Sequence, residues 1–200
     1  NDLIVGGAGS DALYGAAGND VLQGDDGNDT LVNSGGNDLL LGGAGNDALA
    51  GNSGNELFAG GAGNDTITTG AGADIIAFNR GDGQDTVVAS TGTDNTINLG
   101  GSIRYSDLKF TKSGNNLVLG VGGASEQLTL ENWYLGTTNK SVLDLQVIEE
   151  AAADFDAIRD VLKHPRLFLP YFGVGRALGG LAAFCLVIYL GFAIESGLPA

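Results

Sequence analysis

A nine-residue unit recurs without insertion across residues 1–79, and no other feature of the chain limits its fold as tightly. Set on Gly6, the copies read GGAGSDALY, GAAGNDVLQ, GDDGNDTLV, NSGGNDLLL, GGAGNDALA, GNSGNELFA, GGAGNDTIT and TGAGADIIA, after the tail of an earlier copy in residues 1–5. The sixth position is Asp2, Asp11, Asp20, Asp29, Asp38, Asp47, Glu56, Asp65 and Asp74. The eighth is always apolar: Ile4, Leu13, Leu22, Leu31, Leu40, Leu49, Phe58, Ile67 and Ile76.

Each unit joins a stretch rich in Gly, Asn and Asp, which reads as a turn, to a short segment centred on the apolar residue, which reads as a strand. Gly suits backbone with positive φ, and Asn or Asp tolerates it best among the others. Such short strands are too small to stand alone and must stack on copies of themselves, as in a solenoid. With two units to a coil, Ile4, Leu22, Leu40, Phe58 and Ile76 line one sheet, and Leu13, Leu31, Leu49 and Ile67 line the other. A disordered Gly-rich linker would not keep apolar residues in unbroken register.

The same coiling sets the sixth-position carboxylates in two columns, one on each edge. Residues 1–79 hold eleven carboxylates and no Lys or Arg, within a chain of net charge -15. Carboxylates about 5 Å apart repel by about 1 kcal/mol even in water-like dielectric, and a column of them opposes much of a small domain's stability, about 5–15 kcal/mol. This charge argues against nucleic acid and anionic lipid as partners and for cations. Carboxylates with accessible loop carbonyls form the oxygen cage that calcium prefers, whereas magnesium demands tighter octahedral geometry. Calcium is therefore the expected cofactor and partner, and a condition of folding.

The unit G-G-x-G-x-D-x-U-x resembles the RTX (haemolysin-type calcium-binding) nonapeptide repeat. The resemblance implies a parallel β-roll with calcium between successive loops of one edge. Its bridging pairs would be Asp2 with Asp20, Asp11 with Asp29, Asp20 with Asp38, Asp29 with Asp47 and Asp47 with Asp65. Pairs Asp38 with Glu56 and Glu56 with Asp74 contain a longer side chain that distorts the cage. Other departures are Asn33 and Thr69 at the first position and Ser10 and Ala73 at the fifth, expected to loosen loops while keeping the carboxylate. The family further implies a secreted or cell-surface bacterial protein, exported by type I secretion machinery.

The expected fold class is all-β: a parallel β-roll (β-solenoid) over 1–79, a β-rich capping domain over 80–150, and a helical and hydrophobic tail over 151–200. In the second segment, Gly81, Asp82, Gly83 and Asp85 make either one last calcium loop or a plain turn. Strands are expected over 96–99, 107–111, 116–121, 127–130 and 142–148, with a hairpin turn at 112–115. The words GDGQDTV, YSDLKF, NNLVLGV, QLTLENWY and VLDLQVIE resemble the calcium-binding-related domain that follows RTX repeats. Trp133 and Tyr134 are expected to pack in this cap.

The chain has no Met and begins within a repeat, and it reads as the C-terminal piece of something longer. All three prolines lie after residue 163, which marks a change of character near His164. Residues 151–164 pattern as an amphipathic helix ended by Pro165. The eighteen uncharged residues 177–194 read as a membrane anchor, a buried or secretion-related segment, or a tail foreign to the domain. Cys185 is the single cysteine and reads as a small apolar residue.

Catalytic patterns are missing. With His164 alone, neither an H-E-x-x-H site nor a His-based triad can be assembled. The carboxylates form a periodic column and not a glycosidase pair in a cleft. The sequence thus predicts a non-enzymatic calcium-binding module whose passenger (toxin, protease, lipase or adhesin) lies upstream. A surface adhesin spacer and a folding domain of a secreted hydrolase are the alternatives. Ice binding, which a relative achieves with rows of Thr at the third position, lacks those rows here: the positions read Ala8, Ala17, Asp26, Gly35, Ala44, Ser53, Ala62 and Ala71.

Overall fold

The computed structural model describes residues 1–88, 95–123, 125–135 and 142–148. Residues 1–150 form one compact unit. The helix expected over 151–164 and the apolar run 177–194 lie outside the described residues.

In the repeat region the chain alternates between two sheets. Its strands are β1 (Leu3–Ala8), β2 (Ala12–Ala17), β3 (Val21–Asp26), β4 (Thr30–Gly35), β5 (Leu39–Ala44), β6 (Ala48–Ala50), β7 (Leu57–Ala62), β8 (Thr66–Thr68) and β9 (Ile75–Phe78). Odd strands pair in parallel in one sheet and even strands in the other, which makes a parallel β-roll. Ile4 lies opposite Leu22, Leu22 opposite Leu40, Leu40 opposite Phe58 and Phe58 opposite Ile76. Leu13, Leu31, Leu49 and Ile67 form the second row. Both rows point inward: Leu22, Leu31, Leu40, Phe58, Ile67 and Ile76 are fully buried. Each such side chain stabilises the fold by about 1.5–3 kcal/mol relative to exposure, which a three-residue strand could not recover alone.

The strands are longer than the sequence pattern suggests. Six-residue strands run through the apolar segment into the first three positions of the following unit in β1 to β5 and β7, whereas β6 and β8 keep three residues. Pairing resumes beyond a kink, as Gly7 opposite Asp25 and Gly43 opposite Gly61 show. At this second position φ is positive at the glycines, +94° at Gly7, and also +66° at Ala16 and +73° at Asp25, a region open to residues other than Gly. The fourth position is stricter, with φ between +120° and +151° from Gly9 to Gly72, and it is Gly in all eight copies. Asn at the fifth position ties neighbouring coils together, because its Oδ1 accepts the backbone N–H one coil on, as from Asn46 to Asn28 and from Asn64 to Asn46.

The two sheets continue past residue 79. Strands β10 (Gln84–Val88) and β11 (Asn95–Leu99) add in parallel to β8 and β9. A single turn of 3-10 helix (Tyr105–Asp107) then leads into the antiparallel hairpin of β12 (Leu108–Ser113) and β13 (Asn116–Val121). After it, β14 (Gln127–Leu130) returns to pair with β10, and β15 (Val142–Val147) pairs with β11. The hairpin turns at Gly114 and Asn115, with Gly114 at φ +60°. Strand β12 ends the second sheet and carries Lys109 and Lys112, charges that discourage further pairing at a sheet edge. Trp133 packs against the core, while Tyr134 is exposed with the Lys112 ammonium 4.5 Å from its ring centroid.

Candidate metal centre

Two columns of acidic side chains follow from this coiling. Asp11, Asp29, Asp47 and Asp65, on loops leading from the first sheet to the second, form the Asp11 edge with Asp85 near the start of β10. Loops on the return carry Asp2, Asp20, Asp38, Glu56 and Asp74, the Asp20 edge. Within each column the carboxylate of one coil reaches back to the coil before it. On the Asp11 edge, Asp29 Oδ1 accepts from the Asp11 backbone N–H at 2.8 Å, Asp47 from Asp29 at 2.8 Å, Asp65 from Asp47 at 2.8 Å and Asp85 from Asp65 at 2.9 Å. On the Asp20 edge the rungs run from Asp2 to Asp20, Asp20 to Asp38 and Glu56 to Asp74.

In each carboxylate that accepts a rung one oxygen is thus committed, and the other is left over. The Oδ2 atoms of Asp11, Asp20, Asp29, Asp38, Asp47, Asp65 and Asp74 are buried without a hydrogen-bond donor, as are both oxygens of Glu56. A buried carboxylate oxygen in this state costs several kcal/mol unless a positive group meets it. No Lys or Arg exists in residues 1–79 to do so.

The space beside these oxygens is shaped by the first-position glycines. A Cβ placed on Gly6 would lie 2.8 Å from Asp11 Oδ2 and 3.0 Å from the Gly24 carbonyl oxygen of the next coil. The same positions on Gly24 and Gly42 meet Asp29 Oδ2 with the Gly42 carbonyl, and Asp47 Oδ2 with the Gly60 carbonyl. Each glycine therefore keeps a cradle open between a carboxylate and a carbonyl of successive coils. Among the described residues no three His, Cys, Asp or Glu side chains gather to hold a metal by themselves. An ion here needs main-chain carbonyls beside the carboxylates, an all-oxygen set that suits calcium and not a thiolate- or imidazole-seeking metal.

Burial also raises the proton affinity of the columns. Asp65 is pushed up to about 6, first by burial and then by the charges of Asp47 and Asp82, against the lowering effect of its hydrogen bond from Asp47. Asp85 reaches about 7 for the same reason, with Asp65 and Asp82 as its acidic neighbours. Burial and the adjacent Asp74 and Asp38 raise Glu56 to about 8. Asp47 and Asp74 are raised by burial as well.

The expected site residues do not all fall alike. Asp85 takes the next place in the Asp11 column although it lies 20 residues from Asp65, where the repeats are spaced by 18. Asp82 stands outside the ladder: its Oδ2 accepts the Asn79 N–H at 2.6 Å and closes the turn into β10. Asp2 sits on the first coil and is exposed. Between Asp38 and Glu56 the rung is missing among the described residues, at the one place where the acidic side chain is longer. Asn33 and Thr69 are both buried. The pattern also hides a member of the Asp20 column, Asn95, whose Oδ1 accepts from the Asp74 N–H at 2.9 Å and whose Nδ2 donates to Thr69 Oγ1. Its only sequence trace is the order Asn95, Thr96, Ile97, which repeats the acidic-x-apolar order with an amide in place of the acid.

A parallel roll edged by carboxylates and glycine-shaped oxygen cradles defines a cation-binding solenoid. The family model described as RTX calcium-binding nonapeptide repeat (4 copies) matches residues 1–31, 29–55 and 50–84. Residues 1–84 are therefore a module of RTX calcium-binding repeats. No curated protein matches the chain.

Proposed function

We propose that this chain is a non-catalytic folding module of a secreted bacterial protein, exported by type I secretion and ordered by calcium outside the cell. The observation that carries the reading is the row of buried Oδ2 atoms without donors, in a segment with no cationic side chain. Asp11, Asp29, Asp47, Asp65 and Asp85 would hold the ion on one edge together with carbonyls such as those of Gly24, Gly42 and Gly60. Asp2, Asp20, Asp38, Glu56 and Asp74 are the acidic set on the other. Bound calcium supplies the positive charge and the lone-pair acceptor that these oxygens lack.

The chain's own part is to present the oxygens in register only when it is coiled. Because the unfolded chain lacks that register, binding free energy becomes folding free energy. Each site adds about 2.7 kcal/mol when free ion exceeds its dissociation constant a hundredfold. Scarce cytosolic calcium would leave the chain uncoiled for export, and extracellular calcium would order it. Equilibrium dialysis against calcium in excess magnesium tests this reading. Several calcium ions should be retained per chain with magnesium displacing few of them, and loss of all bound calcium to equimolar magnesium would overturn it.

A further inference from the structure

The two edges of the roll carry comparable carboxylates but different surroundings. On the Asp11 edge the first-position residues are Gly6, Gly24, Gly42 and Gly60, and the atoms nearest their Cβ positions belong to the column's own Asp side chains and to carbonyls of the next coil. On the Asp20 edge the same positions are Gly15, Asn33, Gly51 and Thr69. Every first-position and sixth-position departure within residues 1–79 thus falls on one edge.

Each departure puts a different group beside the carboxylates of this edge. Asn33 is 1% exposed, and its amide turns into the cradle of the coil before it, with Oδ1 2.5 Å from where a Cβ on Gly15 would stand. Thr69 is fully buried and carries its own Cβ at the cradle position, with Oγ1 accepting from Asn95. At Gly51 the Phe58 ring stands 2.8 Å from the Cβ position beside Glu56 Oε2 at 2.9 Å, where the Asp11 edge presents only Asp side chains and carbonyls. The column then ends in Asn95, a neutral side chain, where the Asp11 column ends in Asp85. A neutral side chain at the end of the column and non-ligating atoms beside the carboxylates both weaken an oxygen cage for calcium.

We infer that calcium loads the roll asymmetrically: the Asp11 edge is the calcium edge, and the Asp20 edge is closed by Asn33, Glu56, Thr69 and Asn95. That edge then acts as a packed seam that holds coils together by hydrogen bonds and van der Waals contact. This rests on the calcium reading above, and the two can fail separately.

The test compares bound calcium per chain, and the calcium midpoint for β-structure, in the unaltered chain, Asp29→Asn, Asp38→Asn and the double variant Asn33→Gly/Thr69→Gly. Asp29→Asn keeps the Oδ1 rung and removes the charge on the open side, and it should lose about one ion and raise the midpoint about tenfold. Asp38→Asn, on the edge that carries Asn33 and Glu56, should lose clearly fewer ions than Asp29→Asn and move the midpoint less than about twofold. The double variant opens two cradles and should gain bound calcium. Equal losses from Asp29→Asn and Asp38→Asn would overturn the asymmetry, as would a double variant with no gain. If Asp29→Asn does not fold at any calcium concentration, the double variant decides alone. An unaltered chain that binds no calcium would instead overturn the calcium reading itself.

Discussion

Gly45→Ala is expected to abolish most of the roll's stability even in saturating calcium. Gly45 has φ +131°, and a Cβ there would collide with the Gly27 carbonyl oxygen one coil away. Backbone strain of this kind costs about 1–3 kcal/mol, and forcing a carbon into a filled space costs about 1–3 kcal/mol more. The combined loss of about 4 kcal/mol belongs to the severe end of single substitutions. Gly9→Ala is the matched control, because Gly9 has φ +120° but nothing within 4 Å of its Cβ position. Urea unfolding at saturating calcium should place Gly9→Ala midway between the unaltered chain and Gly45→Ala. Equal midpoints for the two variants would show that coil stacking is not what excludes a side chain at the fourth position.

Stripped of metal, the chain is expected to gain β-structure as pH is lowered. Glu56, Asp65 and Asp85 have folded pKa values raised to about 8, 6 and 7. Between their ordinary carboxylate values and these raised ones, the folded state binds more protons than the unfolded state. Stability therefore falls as pH rises through that window, is fully present below about pH 4 and is lost by about pH 8. The three carboxylates therefore oppose the metal-free fold increasingly as pH rises toward 8. Circular dichroism of resin-stripped protein should show more β-structure at about pH 5 than at about pH 8. A metal-free signal that grows with pH would contradict this account of the carboxylate columns.

Much of this architecture is legible in the nine-residue beat. A period of nine with one apolar residue per unit dictates two inward rows, and Leu22, Leu40 and Phe58 occupy theirs as the pattern requires. The acidic columns follow from the same period. Past residue 79 the beat fails although the coil does not. Asp85 follows Asp65 by 20 residues and Asn95 follows Asp74 by 21, and the hairpin of β12 and β13 is inserted before β14 returns to the sheet. A fixed period cannot follow a coil whose loops lengthen, so β11 to β15 read as separate short strands when they extend the two sheets.

The difference between the edges is hidden for another reason. Asn33, Glu56 and Thr69 are scattered irregularities along the chain, and only two-unit coiling brings them to one side. Asn95 is beyond the reach of charge counting, since it copies the hydrogen bond of an acid without its charge. The role of Asn at the fifth position is equally invisible in the sequence, because its rung joins residues 18 apart that no local rule connects.

The central claim is that calcium is a condition of this fold and not an addition to it. Far-ultraviolet circular dichroism at neutral pH, first in chelator and then through a titration to millimolar calcium, tests it most directly. The account predicts little β-structure in chelator and a steep cooperative gain as calcium is added. An equal β-sheet signal, with the same thermal midpoint, in chelator and in calcium would contradict it.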